Sequence, residues 1–169
     1  MGALIRRKLI GPCLALCLLV WAVPLAAATT GGLVSWIYDG DTLMVDGIGK
    51  VRLLGIDTPE RDDSPRDAFY RERFRIPAPR LRNIAARALA FNIRHVKGQR
   101  VVLDFDRERR DKFGRTLAYV YLPDGTLLNR LLLEQGLAAV YRRFDFRLKQ
   151  EFLAVEAQAR QAARGLWEP

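Results

Sequence analysis

The sequence has very little cysteine and histidine, residues that often bind transition metals or act in catalysis. Its 169 residues include two cysteines, Cys13 and Cys17, and a single histidine, His95. Both cysteines lie in an N-terminal stretch that we predict to be a removable leader. His95 falls at the end of a predicted helix, where a cation is favoured by the helix dipole. The remaining chain therefore excludes cysteine nucleophiles, zinc–thiolate sites and disulfide-dependent folding.

The first 28 residues also contain no acidic residue, and their pattern is that of a secretory signal peptide. Three basic residues at positions 6–8 precede an apolar run over 9–23, and Ala26-Ala27-Ala28 provides small residues for cleavage before Thr29. The stretch 9–28 is nearly long enough to span a bilayer, so a membrane anchor is the alternative. We expect an exported protein, periplasmic or secreted, or one held at a membrane by residues 9–28.

Basic residues outnumber acidic residues in the rest of the chain. The full sequence has 28 lysines and arginines against 19 aspartates and glutamates, and loss of the leader's three basic residues lowers the net charge from +9 to +6. A positive protein attracts polyanions such as nucleic acids, although charge indicates association rather than fold. Nothing in the sequence implies a protein partner, and we expect a monomer.

Hydrophobic periodicity predicts a β-rich α+β fold. Alternating apolar residues bounded by turn residues indicate five short strands at 33–38, 42–45, 50–56, 100–106 and 116–122. Apolar residues at helical spacing indicate helices at 81–96, 127–135 and 144–164. These elements suit a five-stranded Greek-key barrel packed with about three helices, compatible with an oligonucleotide-binding (OB) barrel. We expect one such domain over 29–169.

Residues 61–80 break this pattern. They contain three prolines, many charges of both signs and the scattered aromatic residues Phe69, Tyr70 and Phe74. We interpret the segment as an extended loop with one helical turn at most. A long loop beside a candidate site is more often functional or mobile than structural filler. It could screen the site or contact substrate.

The stretch R-L-L-G-I-D-T-P-E at 52–60 begins as an apolar strand and ends in a turn with two carboxylates. Pro59 stops the strand because it lacks an N–H group and fixes its own φ. With Arg52, the acids Asp57 and Glu60 could form a site for a hard cation and a phosphate. An ordinary strand exit is the alternative, since Asp, Thr and Pro are common in turns.

Two further motifs carry charge at strand ends. D-G-D-T at 39–42 is a second acidic turn, and a short hairpin could bring its Asp41 next to Asp57 to share a cation. A plain hairpin corner is the alternative, since Asp-Gly is a strong turn signal. D-K-F-G-R at 111–115 places a second arginine, Arg115, before an apolar strand. For the charged turn over 107–112 the alternative is a solvated hairpin end, and for Arg52 and Arg115 it is structural pairing with acids.

The three motifs, in this order, resemble the staphylococcal nuclease (thermonuclease) family. The match runs through D-G-D-T, R-L-L-G-I-D-T-P-E and D-K-F-G-R-T-L-A-Y-V-Y, and it extends over about 33–167. Each motif alone is weak, but three in order with compatible elements between them form a strong signal. The resemblance implies an exported bacterial member with an OB-fold barrel that hydrolyses phosphodiester bonds through a metal-activated water.

The resemblance also implies roles for the acids and arginines. Glu60 occupies the place of the glutamate that acts on the attacking water, as a general base or by positioning it. Arg52 and Arg115 match the two arginines that hold the scissile phosphate, a task suited to planar guanidinium groups. The carboxylates of Asp41 and Asp57 and the backbone carbonyl of Thr58 would bind the metal, and Asp39 matches an acid beside it.

Calcium is the expected metal because every one of these ligands is oxygen, although magnesium or manganese would suit the same ligand types. For the substrate, Lys112 sits where a lysine meets a terminal phosphate. Phe113 stands where the staphylococcal enzyme has a tyrosine, so the ring is kept and a hydroxyl is lost. Tyr141 is expected to stack on a base, with a core tyrosine as the equal alternative. Stacking tolerates any base, so little sequence specificity is expected.

The resemblance therefore implies a calcium-dependent endonuclease that cleaves DNA, with RNA as a second candidate substrate, and leaves 3′-phosphate ends. The alternative is a nucleic-acid-binding module of the same family with weak or no catalysis. The presence of all three acids and both arginines disfavours that alternative.

Overall fold

Five strands close into a barrel in the order β1-β2-β3-β6-β5, with β5 returning to β1. The structure is a computed structural model that describes residues 30–169, so the predicted signal peptide and its alternative, the membrane anchor, lie outside the described residues. Neighbouring strands are antiparallel except for β3 and β6, which are parallel. The barrel strands are β1 (Gly31–Ile37), β2 (Thr42–Val45), β3 (Gly49–Leu53), β5 (Arg100–Asp104) and β6 (Thr116–Tyr121). The predicted α+β barrel is confirmed.

Alternation along β3 explains how the barrel presents its polar side chains. Val51 and Leu53 are fully buried in the core, whereas Lys50 is exposed and Arg52 is half-buried on the opposite face. Since successive side chains of a strand point to opposite faces, Lys50 and Arg52 share the outer face of the sheet. Across the hairpin Arg52 pairs with Thr42, so Arg52 lies beside the first acidic turn.

The third strand is shorter than predicted. We expected one strand over 50–56, but β3 ends at Leu53, and a separate strand, β4 (Ile56–Asp57), pairs with β7 (Ala139–Val140). Gly55 turns the chain with φ of 81°, and a Cβ at this position would lie 2.6 Å from the Phe146 ring. Only glycine combines that backbone conformation with that contact. Asp57 therefore projects from a small second sheet rather than from the barrel.

Four α-helices surround the barrel: α1 (Arg66–Phe74), α2 (Ala78–His95), α3 (Leu128–Glu134) and α4 (Lys149–Gln161). Three of them correspond to the predicted helices. The last begins at Lys149 rather than at residue 144, because the preceding segment is fixed in an irregular conformation. There Phe146 is buried against Phe152, and the Arg147 backbone N–H donates to Asp106. No helix within residues 30–169 has the length and apolar character needed to cross a membrane.

The prediction of an extended loop over 61–80 is wrong, because the middle of this segment is the nine-residue helix α1. Its prolines mark helix boundaries: Pro65 is the N-cap of α1, and Pro77 is the N-cap of α2. Proline is tolerated there because the first turn of a helix has no use for the missing N–H. Tyr70 is fully buried, and Phe74 packs edge-to-face on Trp167 near the C-terminus, with ring centroids 5.0 Å apart.

Candidate active site

Two buried carboxylates meet at one arginine. The Arg52 guanidinium donates from Nη1 to Asp41 Oδ1 at 2.6 Å and from Nη2 to Asp57 Oδ1 at 3.2 Å. Asp41 and Asp57 are 3% and 5% exposed, so Arg52 neutralises charges that have little access to water. The two acidic turns therefore converge on Arg52.

The first acidic turn is fixed by close packing. The Thr58 backbone N–H donates to Asp41 Oδ2 at 3.1 Å, and the Thr42 hydroxyl donates to Asp41 Oδ1 at 3.0 Å. A Cβ on Gly40 would lie 2.7 Å from Ala88 Cβ and 2.8 Å from the Thr58 side chain, so no larger residue fits this corner. Thr58, whose carbonyl is a predicted metal ligand, is thereby adjacent to Asp41.

Asp57 is also held by α1, which the sequence reasoning missed. Arg66 Nη2 donates to Asp57 Oδ2 at 2.6 Å. The Tyr70 hydroxyl lies 3.0 Å from the same oxygen and 2.9 Å from the Asp57 carbonyl, and it donates its proton to one of the two at a time. The one sequence signal was the four-residue spacing of Arg66 and Tyr70, which places both on one face of a helix.

These contacts shift the pKa values of both α1 residues. Burial, followed by the neighbouring Asp57 carboxylate, raises the pKa of Tyr70 well above its usual value, so its hydroxyl stays protonated as a donor. Burial alone would lower the pKa of Arg66, but the attraction of Asp57 outweighs that effect and raises it. Arg66 also lies over the ring of Tyr141, with its Cζ atom 5.4 Å from the ring centroid. The helix thus links Asp57 to the aromatic side of the site.

A cleft of about 770 Å³ lies beside these residues. Most of the predicted site residues line it, together with Arg66. The predicted residues in this lining are Arg52, Asp57, Glu60, Lys112, Phe113, Arg115 and Tyr141. Asp39, Asp41 and Thr58 are not part of the lining, and Asp41 and Thr58 are buried. The structure therefore brings the predicted catalytic and substrate-binding side chains to one surface.

Arg115 is held in place by its own loop. Its Nε and Nη2 atoms each lie 2.7 Å from Asp111 Oδ2, and its Nη1 lies 3.5 Å from the Thr42 hydroxyl. Asp111 was not predicted as a site residue. Because Thr42 also bonds to Asp41, the two arginines are connected through a chain of polar contacts. Both arginines pair with acids, as the structural alternative for them required, and both line the cleft.

Aromatic side chains also line the cleft. Phe113 is 71% exposed, and the Lys112 ammonium lies 5.0 Å from its ring centroid. Tyr141 is half-buried and packs 5.1 Å from Phe144, ring centroid to ring centroid. Since Tyr141 lines the cleft and is not among the buried core residues, its position is that of a cleft residue rather than a core tyrosine.

Glu60 lines the cleft and is exposed to solvent. Partial burial raises the pKa of its carboxyl, as do the charges of Asp41 and Asp57, while Arg52 and Arg115 oppose the change. The loop that carries it is fastened by Arg82 of α2, which donates to the backbone carbonyls of Glu60 and Asp62 and to the Asp67 carboxylate. Arg82 is a second residue that the sequence reasoning missed.

The acids of the site repel one another. Burial and the nearby Asp41 charge raise the pKa of Asp39 to about 6, with Glu60 adding to the effect. Burial would lower the pKa of Arg52, but the surrounding acids outweigh it and raise that pKa. Such crowded negative charge favours an additional cation.

The available donors fit a hard cation that prefers oxygen. They are carboxylates and a backbone carbonyl. The histidine His95 is not among them, because it lies at the end of α2, where its ring centroid is 4.6 Å from that of Phe91. Within residues 30–169, no three His, Cys, Asp or Glu side chains form a group that could hold a metal ion by themselves. A cation would therefore take backbone or water oxygens together with Asp41 and Asp57, as calcium does readily.

Comparison with known proteins agrees with this geometry. A family profile described as "Staphylococcal nuclease homologue" matches residues 50–169. The thermonuclease of Staphylococcus intermedius is 37% identical over 144 residues, covering 80% of this chain and 75% of the relative. The thermonuclease of Staphylococcus hyicus is 31% identical over 137 residues, covering 78% and 72%. An uncharacterised protein of Methanocaldococcus jannaschii is 37% identical over 147 residues, covering 80% and 70%. The predicted membership is confirmed, and this chain belongs to the staphylococcal nuclease family.

Proposed function

We propose that this chain is a nuclease that hydrolyses phosphodiester bonds in DNA, with RNA as a second substrate. The observation that carries the proposal is the joint position of Arg52, Arg115 and Glu60 on one cleft, beside the buried pair Asp41 and Asp57. The names of the relatives, thermonucleases and endonucleases, support the same chemistry.

The two arginines bind the scissile phosphate in this proposal. Each presents a planar guanidinium group already oriented by a carboxylate, so little side-chain freedom is lost when phosphate binds. Donors fixed in advance stabilise the negative charge that develops on the phosphate oxygens in the transition state. Lys112 binds a further phosphate, and the rings of Phe113 and Tyr141 stack on bases.

Glu60 accepts the proton of the attacking water. The pKa of this carboxyl is raised toward the operating pH, which suits a general base. Attack on phosphorus then breaks the 5′ P–O bond and leaves a 3′-phosphate end. Asp41, Asp57 and the Thr58 carbonyl would hold a calcium ion, with Asp39 beside it and with magnesium or manganese as alternatives. When bound, this ion supplies positive charge to the phosphate and lowers the pKa of a bound water.

We expect cleavage of single-stranded DNA in calcium and its loss in a chelator. Calcium should also raise the melting temperature, because a ligand at a hundred times its Kd stabilises the folded state by about 2.7 kcal/mol. Asp41→Asn should remove both effects. Asp46→Asn, which changes an exposed acid after β2, should retain them. Cleavage and melting are measured on the same samples, with magnesium and manganese in parallel.

Two outcomes would contradict parts of this proposal. Cleavage and melting that do not respond to chelator would exclude the metal. Salt-sensitive binding of DNA without cleavage in calcium, magnesium or manganese would instead support the binding-module alternative, since phosphate contacts alone give that salt dependence. Product ends are tested by 3′-extension with a polymerase, which requires prior phosphatase treatment if the ends carry phosphate.

We further propose that the protein is exported through its first 28 residues. The basic, apolar and small-residue regions of this segment support the proposal. N-terminal sequencing of the product outside the cytoplasm should begin at Thr29. A product that keeps residues 9–28 and sediments with membranes would support the anchor instead.

A further inference from the structure

An irregularity in β1 places a large aromatic side chain in solvent. Val34 pairs with Val45 and Trp36 pairs with the next residue, Met44, so Ser35 is an extra residue in a β-bulge. Val34 and Ile37 both face the core, although regular alternation from Val34 would turn Trp36 inward. Bulges are known to redirect side chains in this way. As a result Trp36 is 55% exposed.

Trp36 lies on the same outer face of the sheet as Arg52 of the proposed active site. It is opposite Met44, and Met44 is opposite Lys50, so the three residues form one row across β1, β2 and β3. Lys50 and Arg52 occupy alternate positions of β3 and share its outer face. Two residues along a strand and two strands across a sheet correspond to separations of about 7 Å and about 10 Å. Trp36 is therefore about 12 Å from Arg52 by this spacing.

Positive charge accompanies the aromatic rings on this face. The Lys97 ammonium lies 4.7 Å from the Trp36 ring centroid, and the Lys50 ammonium lies 4.5 Å from that of Tyr38. Lys50 also lines the cleft, so it connects this face with the site. Aromatic rings interleaved with cations are the means by which proteins bind single-stranded nucleic acids, through base stacking and phosphate attraction.

Resting on the nuclease function proposed above, we propose that this outer face of β1–β3 is an extended binding site for single-stranded substrate. A base stacks on Trp36, and phosphates pass between Lys50 and Lys97 on their way to the cleft. The occupant is a single-stranded nucleic acid because the face combines the two features that such a strand requires and leads directly to Arg52. Substrates of a few nucleotides or more would use this site, and a dinucleotide would not reach it.

The first test compares long and short substrates. Trp36→Ala should raise the KM for a twelve-nucleotide oligothymidylate by about tenfold relative to the KM for a dinucleotide, the lower part of the range for one lost base stack. Trp36→Phe should keep most of the affinity because it retains a ring. Val102→Ala, which truncates an exposed apolar residue on β5, is the matched control and should leave the ratio of the two KM values unchanged.

The second test does not depend on cleavage. Oligothymidylate added to a Glu60→Gln background should quench tryptophan fluorescence, and Trp36→Phe in that background should remove most of the quenching. An unchanged KM ratio in Trp36→Ala, or quenching that persists in Trp36→Phe, would overturn this inference while cleavage by the parent protein still supports the nuclease. A parent protein that neither cleaves nor binds nucleic acid would overturn both proposals.

Discussion

Glu60→Gln is expected to lower kcat for DNA cleavage by about 10²–10⁴-fold, the usual contribution of a general base. Glutamine keeps the size and polarity of the side chain but cannot accept the proton of the attacking water. KM should change little, because the predicted phosphate-binding groups are Arg52, Arg115 and Lys112. The measurement is steady-state cleavage of a fluorescent oligonucleotide, with circular dichroism to verify the fold.

Glu60→Gln should not destabilise the protein. Within residues 30–169 the Glu60 carboxylate has no hydrogen bond or ion pair, and its pKa is raised by partial burial and by the neighbouring acids Asp41 and Asp57. A carboxyl whose pKa is raised by folding is less favourably ionised in the folded state, so at neutral pH its charge opposes folding. Removing that charge should leave the melting temperature equal to that of the parent or slightly higher.

A second glutamate on the same cleft provides the control. Glu108 is exposed and lines the cleft, but it lies on the loop after β5. Glu108→Gln should leave kcat nearly unchanged, because surface charge acts on association with the substrate rather than on the chemical step. If Glu60→Gln retained a tenth or more of the parent kcat, the assignment of Glu60 as the base would be wrong.

The barrel strands and the first acidic turn were predictable because they follow from local patterns, whereas closure of the barrel was implied by the family resemblance. Alternation in 50–53 specifies which side chains enter the core, and hairpin geometry then sets Arg52 opposite Thr42. That hairpin brings the two acidic turns near each other, but Asp57 itself lies on β4, which pairs with the distant strand β7. The break at Gly55 was not predictable, since it depends on Phe146, about ninety residues later in the chain.

The support of Asp57 by α1 was also beyond local reasoning. The charged segment 66–74 has little apolar character of its own, and its helix is stabilised by contacts with distant residues. Tyr70 is buried next to Asp57, and Phe74 packs on Trp167. Prolines on both sides suggested a loop, but a proline pattern does not distinguish a loop from a helix that begins and ends at prolines.

Arg52→Ala is expected to reduce both activity and stability, in contrast to Glu60→Gln. Loss of one preorganised donor to the developing phosphate charge lowers kcat by about 10²–10³-fold. The same substitution leaves Asp41 and Asp57 buried without their shared partner, and breaking a buried ion pair in this way costs about 3–5 kcal/mol. Arg66 and Tyr70 still contact Asp57, so the lower part of this range is expected. Cleavage kinetics and urea unfolding without added metal give the two quantities.

Arg115→Ala separates the two effects. Arg115 pairs with Asp111 within one loop, and this acid is more exposed than Asp41 or Asp57, with 16% of its side chain accessible against 4% and 8%. Loss of such a pair costs about 1 kcal/mol or less. The loss of activity should nevertheless match that of Arg52→Ala. Arg110→Ala, which alters an exposed arginine of the same loop, should change neither quantity much.

Arg52→Lys tests whether charge or geometry matters at this position. Lysine keeps the positive charge between the carboxylates, but its single ammonium cannot reproduce a planar fork that contacts Asp41, Asp57 and a phosphate together. Stability should therefore be recovered in large part while kcat stays within about tenfold of the Arg52→Ala value. Full recovery of cleavage by Arg52→Lys would show that Arg52 acts only as a counter-ion for the two acids, and the phosphate-binding role would then rest on Arg115 alone.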